Sequence, residues 1–207
     1  MPPPPPYRIE TERLVIRCWQ PHDAPLLQEA IEASIDHLRQ WMPWAHEEPR
    51  TLDDRIDLLR HFRGQFDHGQ DFIYAIMASD EQRVLGGTGL HTRVGDDAFE
   101  IGYWIRADAV GNGYASEATA TLTAVAFRVC GVDRVEIHVD PANTASLRIP
   151  ERLAFTCEAL LRRRLPPVVT GGPPADMAVY TMVAEEFDTS AAASARYSAF
   201  DSAGRPA

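Results

Sequence analysis

Seven stretches of the chain are predicted as β-strands, and two of them, residues 13–19 and 134–139, alternate apolar and polar residues, a pattern typical of half-buried strands. The predicted strands span residues 13–19, 72–77, 84–92, 99–105, 134–139, 156–165 and 177–183. Four other stretches carry apolar residues at helical spacing and predict helices over residues 23–35, 52–62, 116–129 and 146–153. The resulting order, β-α-α-β-β-β-α-β-α-β-β, indicates an α+β fold built on a mixed sheet.

Both ends of the chain lack these patterns. Prolines at positions 2–6 remove backbone donors and predict an extended, disordered tail over residues 1–6. Residues 189–207 are rich in alanine and serine and include Gly204 and Pro206, which predicts a second, flexible tail. A single domain over residues 7–188 remains, as expected for a chain of 207 residues of which 45% are hydrophobic.

Charge and cysteine content narrow the classes of function. The formal net charge of −10 disfavours nucleic acid as a partner, because an acidic chain repels phosphate backbones. The 3 cysteines are too few for a disulfide framework or a Cys-rich zinc site and indicate reduced thiols in a cytoplasmic protein. No stretch resembles a signal peptide or a membrane span, and no pair of the 7 histidines has a spacing that predicts a metal site.

A glycine-rich turn at residues 110–116 is the first candidate for chemistry. Gly111 and Gly113 permit backbone angles closed to other residues and allow a ligand to approach the main chain. If a helix follows, its free N–H groups and its dipole favour an anion at that point, so the turn could hold a pyrophosphate. The alternative is an ordinary Asn112-Gly113 hairpin turn.

Several separated motifs in this sequence resemble those of the GNAT N-acetyltransferase superfamily. Residues 100–105, followed by 110–118, are similar to the acetyl-CoA motif of that family, in its RimJ/RimL-like branch. Residues 11–17 resemble the opening strand of the branch. Residues 143–148, which lead to Leu153, Ala154 and Phe155, resemble its second cofactor motif.

The resemblance implies a fold and a cofactor. It implies a mixed sheet of about seven strands, flanked by about four helices and splayed open between strands 99–105 and 134–139. Acetyl-CoA would lie in the splay, its pantetheine arm pairing with backbone near Trp104, Ile105 and Arg106. The pyrophosphate would lie on the turn, at Gly111, Asn112, Gly113, Tyr114, Ala115 and Ser116. No metal is implied.

Acetyl transfer to an amine needs a group that accepts the amine proton and a group that protonates the leaving thiolate. The family transfers the acetyl group directly, without a covalent enzyme intermediate. By position in the motifs, Glu100 is the candidate base and Ser146 the candidate acid, while Asn143 would hydrogen-bond the pantetheine arm. The alternatives are a solvated strand glutamate, a helix N-cap at Ser146 and an Asx turn at Asn143. Glu158 ranks below Glu100 as a candidate base.

The acceptor side is less defined. Trp41 and Trp44 flank a proline in the region that resembles the acceptor-side loop of the branch, and they either wall an acceptor pocket or pack between helices. The acceptor implied is a protein N-terminus or a small-molecule amine, and the branch also implies a homodimer.

Three residues depart from the family pattern. Val110 stands where a Gln or Arg is usual, Ala154 replaces a glycine, and Pro150 lies inside a predicted helix, where it is tolerable only near the first turn. These departures keep open a non-catalytic acyl-CoA-binding or regulatory module. Arg162, Arg163 and Arg164 keep open a different donor, such as succinyl-CoA.

Overall fold

The computed structural model describes residues 3–169 and 171–207. Within them, one sheet contains nine strands: β1 (Arg8–Glu10), β2 (Leu14–Cys18), β3 (Phe72–Ala78), β4 (Val84–His91), β5 (Ala98–Ile105), β6 (Arg134–Val139), β7 (Thr156–Leu165), β8 (Ala175–Val183) and β9 (Ser198–Phe200). Their order across the sheet is β7-β8-β6-β5-β4-β3-β2-β1-β9. All seven strands predicted from the sequence are present. The two additional strands, β1 and β9, have three residues each, too few to show an alternating pattern.

Six α-helices are found in the described residues: α1 (Ala24–Glu32), α2 (Ile35–Leu38), α3 (Leu52–Asp67), α4 (Tyr114–Val125), α5 (Thr144–Arg152) and α6 (Ala184–Phe187). The predicted helix at residues 23–35 is divided into α1 and α2. The Thr51 side chain caps α3 by accepting from the Asp54 amide, and the Asp54 carboxylate bonds back to Thr51. The predicted helix at 116–129 begins earlier, at Tyr114, and its last turn is a π-helix over Ala126–Cys130.

Helices cover both faces of the sheet. On one face, Ala118 and Leu122 of α4 pack against Ile101 and Ile137 of the central strands. On the other face, α1 and α3 bury Leu27 and Leu59 in a second apolar cluster, together with Val15, Ala75 and Trp19. The sheet is therefore the middle layer, and any opening between its strands lies between two helical layers.

The sheet opens between β5 and β6. These two strands are parallel and pair only at their beginnings, from Ala98 opposite Arg134 to Glu100 opposite Glu136. Beyond that point β5 continues to Ile105 and β6 to Val139 with no further pairing between them. The splay predicted between these strands is confirmed.

The predicted flexible C-terminal tail is wrong. After residue 189 the chain forms a 3-10 turn, Ala191–Ser194, in which Ala192 is fully buried. β9 then pairs antiparallel with β1 and becomes an edge of the sheet. The alanines that suggested disorder are the small side chains that allow this close packing, and the backbone of β1 supplies the hydrogen-bond partners.

The predicted disordered N-terminal tail is also partly wrong. Met1 and Pro2 lie outside the described residues, and Pro3 and Pro4 are exposed. Pro5 and Pro6, however, are buried, and the Tyr74 hydroxyl donates a hydrogen bond of 2.8 Å to the Pro6 carbonyl. A proline cannot donate but still accepts, so a buried tyrosine can hold this segment.

Candidate active site

A cavity of about 860 Å³ occupies the opening between β5 and β6. Glu100, Gly102 and Trp104 line it from β5, and His138 lines it from β6. The first turn of α5 contributes Ser146, and the segment after α2 contributes Trp41 and Trp44. The splay therefore brings six residues predicted for the site into one cavity: Glu100, Asn143, Ser146, Trp104, Trp41 and Trp44.

The glycine turn leads into a helix, which excludes the hairpin alternative. Gly111 and Gly113 both have φ of 80°, in the left-handed region that favours glycine. Gly113 is the N-cap of α4, and no side chain caps this helix among the described residues. The amides at the start of α4 are therefore free to meet an anion, and the helix dipole favours one there.

A cation stands beside this turn that the sequence did not reveal. The Arg13 Nη1 donates 3.0 Å to the Asn112 carbonyl, and its Nε donates 2.7 Å to the Glu117 carboxylate in the first turn of α4. The Thr11 hydroxyl donates 2.6 Å to the same carboxylate. Arg13 also stacks over the ring of Tyr114, at 4.9 Å from its centroid. These contacts tie the turn between β1 and β2 to the glycine turn and fix the shape of the glycine turn.

Of the three residues predicted to pair with the pantetheine arm, only Ile105 turns its backbone toward the opening, whereas the backbones of Trp104 and Arg106 face β4. The Arg106 amide donates 2.9 Å to the Leu85 carbonyl, so it faces β4 rather than the opening. Its buried side chain pairs with Glu29 and Asp108. Backbone groups of successive strand residues point to opposite sides, so those of Ile105 point toward β6, while its side chain is buried in the core.

Ser146 is not the helix N-cap. That position is held by Asn143, whose side-chain oxygen accepts from the Ser146 amide at 3.1 Å. The Ser146 Oγ lies 2.9 Å from the Tyr103 hydroxyl of β5, which also donates 3.2 Å to the Ser146 carbonyl. Burial raises the pKa of Tyr103 to about 12, against a smaller lowering by the Ser146 hydrogen bond. Two hydroxyls therefore meet across the opening, and the sequence predicted only one of them.

Pro150 explains why Tyr103 reaches the helix. It lies in the second turn of α5, not in the first turn as expected from the sequence. A proline at this position cannot donate to the carbonyl four residues earlier, which belongs to Ser146. The Tyr103 hydroxyl donates to that carbonyl instead, so the helix loses one internal hydrogen bond and gains a link to β5.

Glu100 lies in the cavity and is 5% exposed, so it is not a solvated surface residue. Both of its carboxylate oxygens accept hydrogen bonds from Arg93, at 2.7 and 2.6 Å. Burial would raise the pKa of Glu100, but the hydrogen bonds and charge of Arg93 outweigh it, and the pKa lies below its usual value. Glu100 as held here is a stable anion and a weak proton acceptor.

The ionisable side chains of Arg93, Glu100 and His138 form a row, here called the charged row, that runs from the segment after β4 across β5 to β6. The His138 Nδ1 lies 3.4 Å from Glu100 Oε2, and its Nε2 lies 2.7 Å from Glu136 Oε2. Glu158, the lesser candidate, is exposed on β7, accepts from the Thr181 hydroxyl at 2.9 Å and does not line the cavity. Among the described residues, no group of three or more His, Cys, Asp or Glu side chains is arranged to hold a metal.

Trp41 and Trp44 both line the cavity and are partly buried. Trp44 meets Trp104 edge to face, with ring centroids 6.0 Å apart. The two alternatives for these residues, pocket wall and core packing, are therefore both met at Trp44, which also contacts the α1–α3 apolar cluster.

No helix in the described parts of the chain is long and apolar enough to cross a membrane.

Comparison with known proteins places this geometry in a family. The family model for an acetyltransferase (GNAT) domain matches residues 13–156. The chain is 27% identical to the uncharacterized N-acetyltransferase YoaA of Bacillus subtilis, over 84% of this chain and 96% of the relative. It is 30% identical to the putative ribosomal N-acetyltransferase YdaF of the same organism, over 86% of this chain and 94% of the relative.

A solved structure, the microcin C7 self immunity acetyltransferase MccE in complex with acetyl-CoA and AMP, shares the fold. Its TM-score is 0.75 at 19% identity, covering 84% of this chain and 93% of the other. The splayed sheet, the glycine turn before α4 and these matches agree with one another. The chain belongs to the GNAT acetyltransferase family, in its RimJ/RimL-like branch, and is an N-acetyltransferase.

Proposed function

We propose that this protein transfers the acetyl group of acetyl-CoA directly to a primary amine, and that the amine is the N-terminus of a protein. The observation that carries the proposal is the opening between β5 and β6 with its aromatic wall, together with the uncapped N-terminus of α4, the helix that follows β5 in the chain. The name of YdaF, a putative ribosomal N-acetyltransferase, supports a protein acceptor. A small-molecule amine is the competing acceptor.

The residues present fit an acyl-CoA. A methyl group built at Gly111 would meet no atom of the described residues within 4 Å, so there is open space in front of the turn for phosphates. Gly111, Asn112 and Gly113 would present backbone to them, and Tyr114, Ala115 and Ser116 would add the amides of the first turn. The backbone of Ile105 on the open side of β5 and the side chain of Asn143 would hold the pantetheine arm. The bound thioester supplies the acetyl group and its leaving thiolate.

Tyr103 and Ser146 would protonate that thiolate. Because the pKa of Tyr103 is about 12, its hydroxyl stays protonated at neutral pH, and its single proton can turn from the Ser146 carbonyl to the Ser146 Oγ. Ser146 can then turn its own proton toward the sulfur. The pair would thus act as one acid, in which Ser146 is nearest the sulfur and Tyr103 supports it.

The acceptor would enter between the tryptophans and the charged row. Trp41 and Trp44 provide an apolar wall, and the Glu100 carboxylate provides a negative charge that attracts a cationic amine. For Glu100 itself to act as the base, the Arg93 side chain, which is 62% exposed, has to release it first.

The test is release of free thiol from acetyl-CoA with a panel of acceptors. The panel contains peptides with a free α-amine, the same peptides with a blocked α-amine and a free lysine, and small amines such as polyamines. We expect turnover with the free α-amine and loss of turnover when it is blocked. Equal background rates with every acceptor would contradict an enzyme of this kind. Faster release from succinyl-CoA than from acetyl-CoA would contradict the donor. Light scattering of the same samples tests the expected homodimer.

A further inference from the structure

A histidine and an aspartate form a pair at the edge of the cavity that none of the motifs includes. The His91 Nδ1 lies 2.9 and 3.0 Å from the two carboxylate oxygens of Asp71. Asp71 directly precedes β3 and His91 ends β4, so the antiparallel register places them opposite each other. A carboxylate at this nitrogen holds the proton on Nδ1 and leaves Nε2 as a free acceptor.

Two glycines make room for the His91 ring. A methyl group at Gly89 would come within 2.8 Å of His91 Nε2, and one at Gly102 within 3.2 Å. Gly89 and Gly102 are paired across β4 and β5, so the ring lies over this pair, on the face that also carries Glu100. The His91 side chain is 16% exposed and lines the cavity, and its Nε2 has no hydrogen-bond partner among the described residues.

The charged groups around His91 favour its role as a base over that of Glu100. Asp71 faces it from β3, Glu100 from β5, Arg93 from the segment after β4, and His138 lies behind Glu100 on β6. Arg93 occupies both oxygens of Glu100, whereas His91 keeps one nitrogen free. A base must have a free acceptor atom within reach of the proton it removes, and His91 meets this condition without any rearrangement.

We propose that His91 accepts the proton of the acceptor amine and that Asp71 is the residue that positions it; the proposal rests on the acetyl-transfer function above. The ammonium group gives one proton to His91 Nε2, directly or through one water, and becomes a neutral amine. The nitrogen lone pair then forms a bond to the thioester carbon, and the bond from that carbon to sulfur breaks. The thiolate takes a proton from Ser146, the second amine proton returns to Ser146 through solvent, and His91 releases its proton to solvent through the open cavity.

The experiment measures kcat/KM against pH for the wild type, His91→Gln, Asp71→Asn and Glu100→Gln, with His22→Gln as a matched control. His22 is an exposed histidine that does not line the cavity, with a side-chain exposure of 78%. Acetyl-CoA affinity by calorimetry and thermal unfolding show that each variant is folded and loaded. We expect His91→Gln to lower kcat/KM about 100-fold or more and to remove the decline of activity on the acid side, with cofactor affinity unchanged. Asp71→Asn should shift the pH at which kcat/KM declines on the acid side. His22→Gln should change neither kcat/KM nor this pH.

A readout independent of turnover is the tautomer of His91, measured by ¹⁵N NMR of the imidazole. The pair predicts that the neutral imidazole carries its proton on Nδ1 and not on Nε2, and that this preference is lost in Asp71→Asn. A His91→Gln variant that keeps kcat/KM within about threefold, with the wild-type pH profile, would overturn the proposal while leaving acetyl transfer intact. Loss of the acid limb in Glu100→Gln alone would assign the base to Glu100. A wild type that acetylates no amine would instead contradict the transferase function itself.

Discussion

The hydroxyl of Tyr103 donates to the carbonyl of Ser146 at 3.2 Å, and this carbonyl is the one that Pro150 leaves without a helical donor. Pro150, a departure from the family pattern, therefore makes the link between β5 and α5 possible. The same tyrosine lies 2.9 Å from the Ser146 hydroxyl. The Tyr103 hydroxyl comes from β5 and the Ser146 hydroxyl from α5, and this link keeps the two hydroxyls of the proposed acid within hydrogen-bond distance.

Tyr103→Phe removes one hydroxyl and leaves the ring. We expect kcat to fall about tenfold or more, because positioned proton transfer contributes on this scale, while acetyl-CoA affinity stays the same. Steady-state thiol release and calorimetry measure the two effects. Tyr7→Phe is the matched control, because Tyr7 donates to Asp67, away from the cavity. An unchanged kcat in Tyr103→Phe would remove Tyr103 from the proposed acid.

Gly111→Ala tests the phosphate cradle. At φ of 80° a side chain costs about 1–2 kcal/mol, so we expect the turn to relax and coenzyme A to bind about tenfold more weakly. Calorimetric titration measures the affinity. Gly204→Ala is the control, because Gly204 has a φ of 75° but lies in the C-terminal segment. It should lose stability without losing affinity. Equal affinity in the wild type and Gly111→Ala would contradict a cradle at this turn.

Ala154→Gly should stabilise the protein. Ala154 has a φ of 65°, which costs an alanine about 1–2 kcal/mol, and glycine loses about 0.5–1 kcal/mol more backbone entropy on folding. The difference predicts a gain of about 0.5–1 kcal/mol in the free energy of unfolding, measured by urea denaturation. Ala193→Gly, at a residue without positive φ, should instead destabilise. A loss of stability in Ala154→Gly would show that the methyl group contributes more packing than it costs in strain.

The Arg93–Glu100 pair predicts an acid-sensitive contribution to stability. Arg93 lowers the pKa of Glu100 in the folded state, so the stabilisation is fully present above the unfolded pKa of about 4.3 and is lost as pH falls through the folded value. Arg93→Gln should weaken the protein at pH 7 and flatten the decline of stability below about pH 4.3. Urea denaturation across this range measures both. Arg60→Gln breaks an exposed pair with Asp57 and should change neither the stability at pH 7 nor its decline in acid. If stability declined in acid equally in Arg93→Gln and in the wild type, the Arg93–Glu100 pair would not be the source of that decline.

The sequence predicted what depends on local pattern. Seven strands, the helix after the glycine turn and the splay between β5 and β6 followed from short apolar stretches, helical spacing and the family motifs. β1 and β9 were missed because three residues show no period, and their partners lie at opposite ends of the chain. The buried Ala192 shows that a composition typical of disorder can also serve close packing.

Contacts between distant segments could not be predicted in the same way. Arg13 reaches the glycine turn, Arg93 holds Glu100, and Asp71 meets His91 only because the register of the sheet brings them together. A sequence pattern indicates which side chains share a face of one strand, but not which residue of the neighbouring strand stands opposite. The identity of the N-cap, Asn143 rather than Ser146, depended in the same way on where the chain turns after β6.

The central claim is that the opening between β5 and β6 delivers an acetyl group to a free α-amine. The most direct measurement is mass spectrometry of a peptide with a free α-amine and an internal lysine, after incubation with acetyl-CoA and the enzyme. We predict a single acetyl group, located on the α-amine by fragmentation, and its loss in the Ser146→Ala variant at unchanged acetyl-CoA affinity. Acetylation of the lysine alone, or no acetylated peptide from an enzyme that binds acetyl-CoA, would contradict the account.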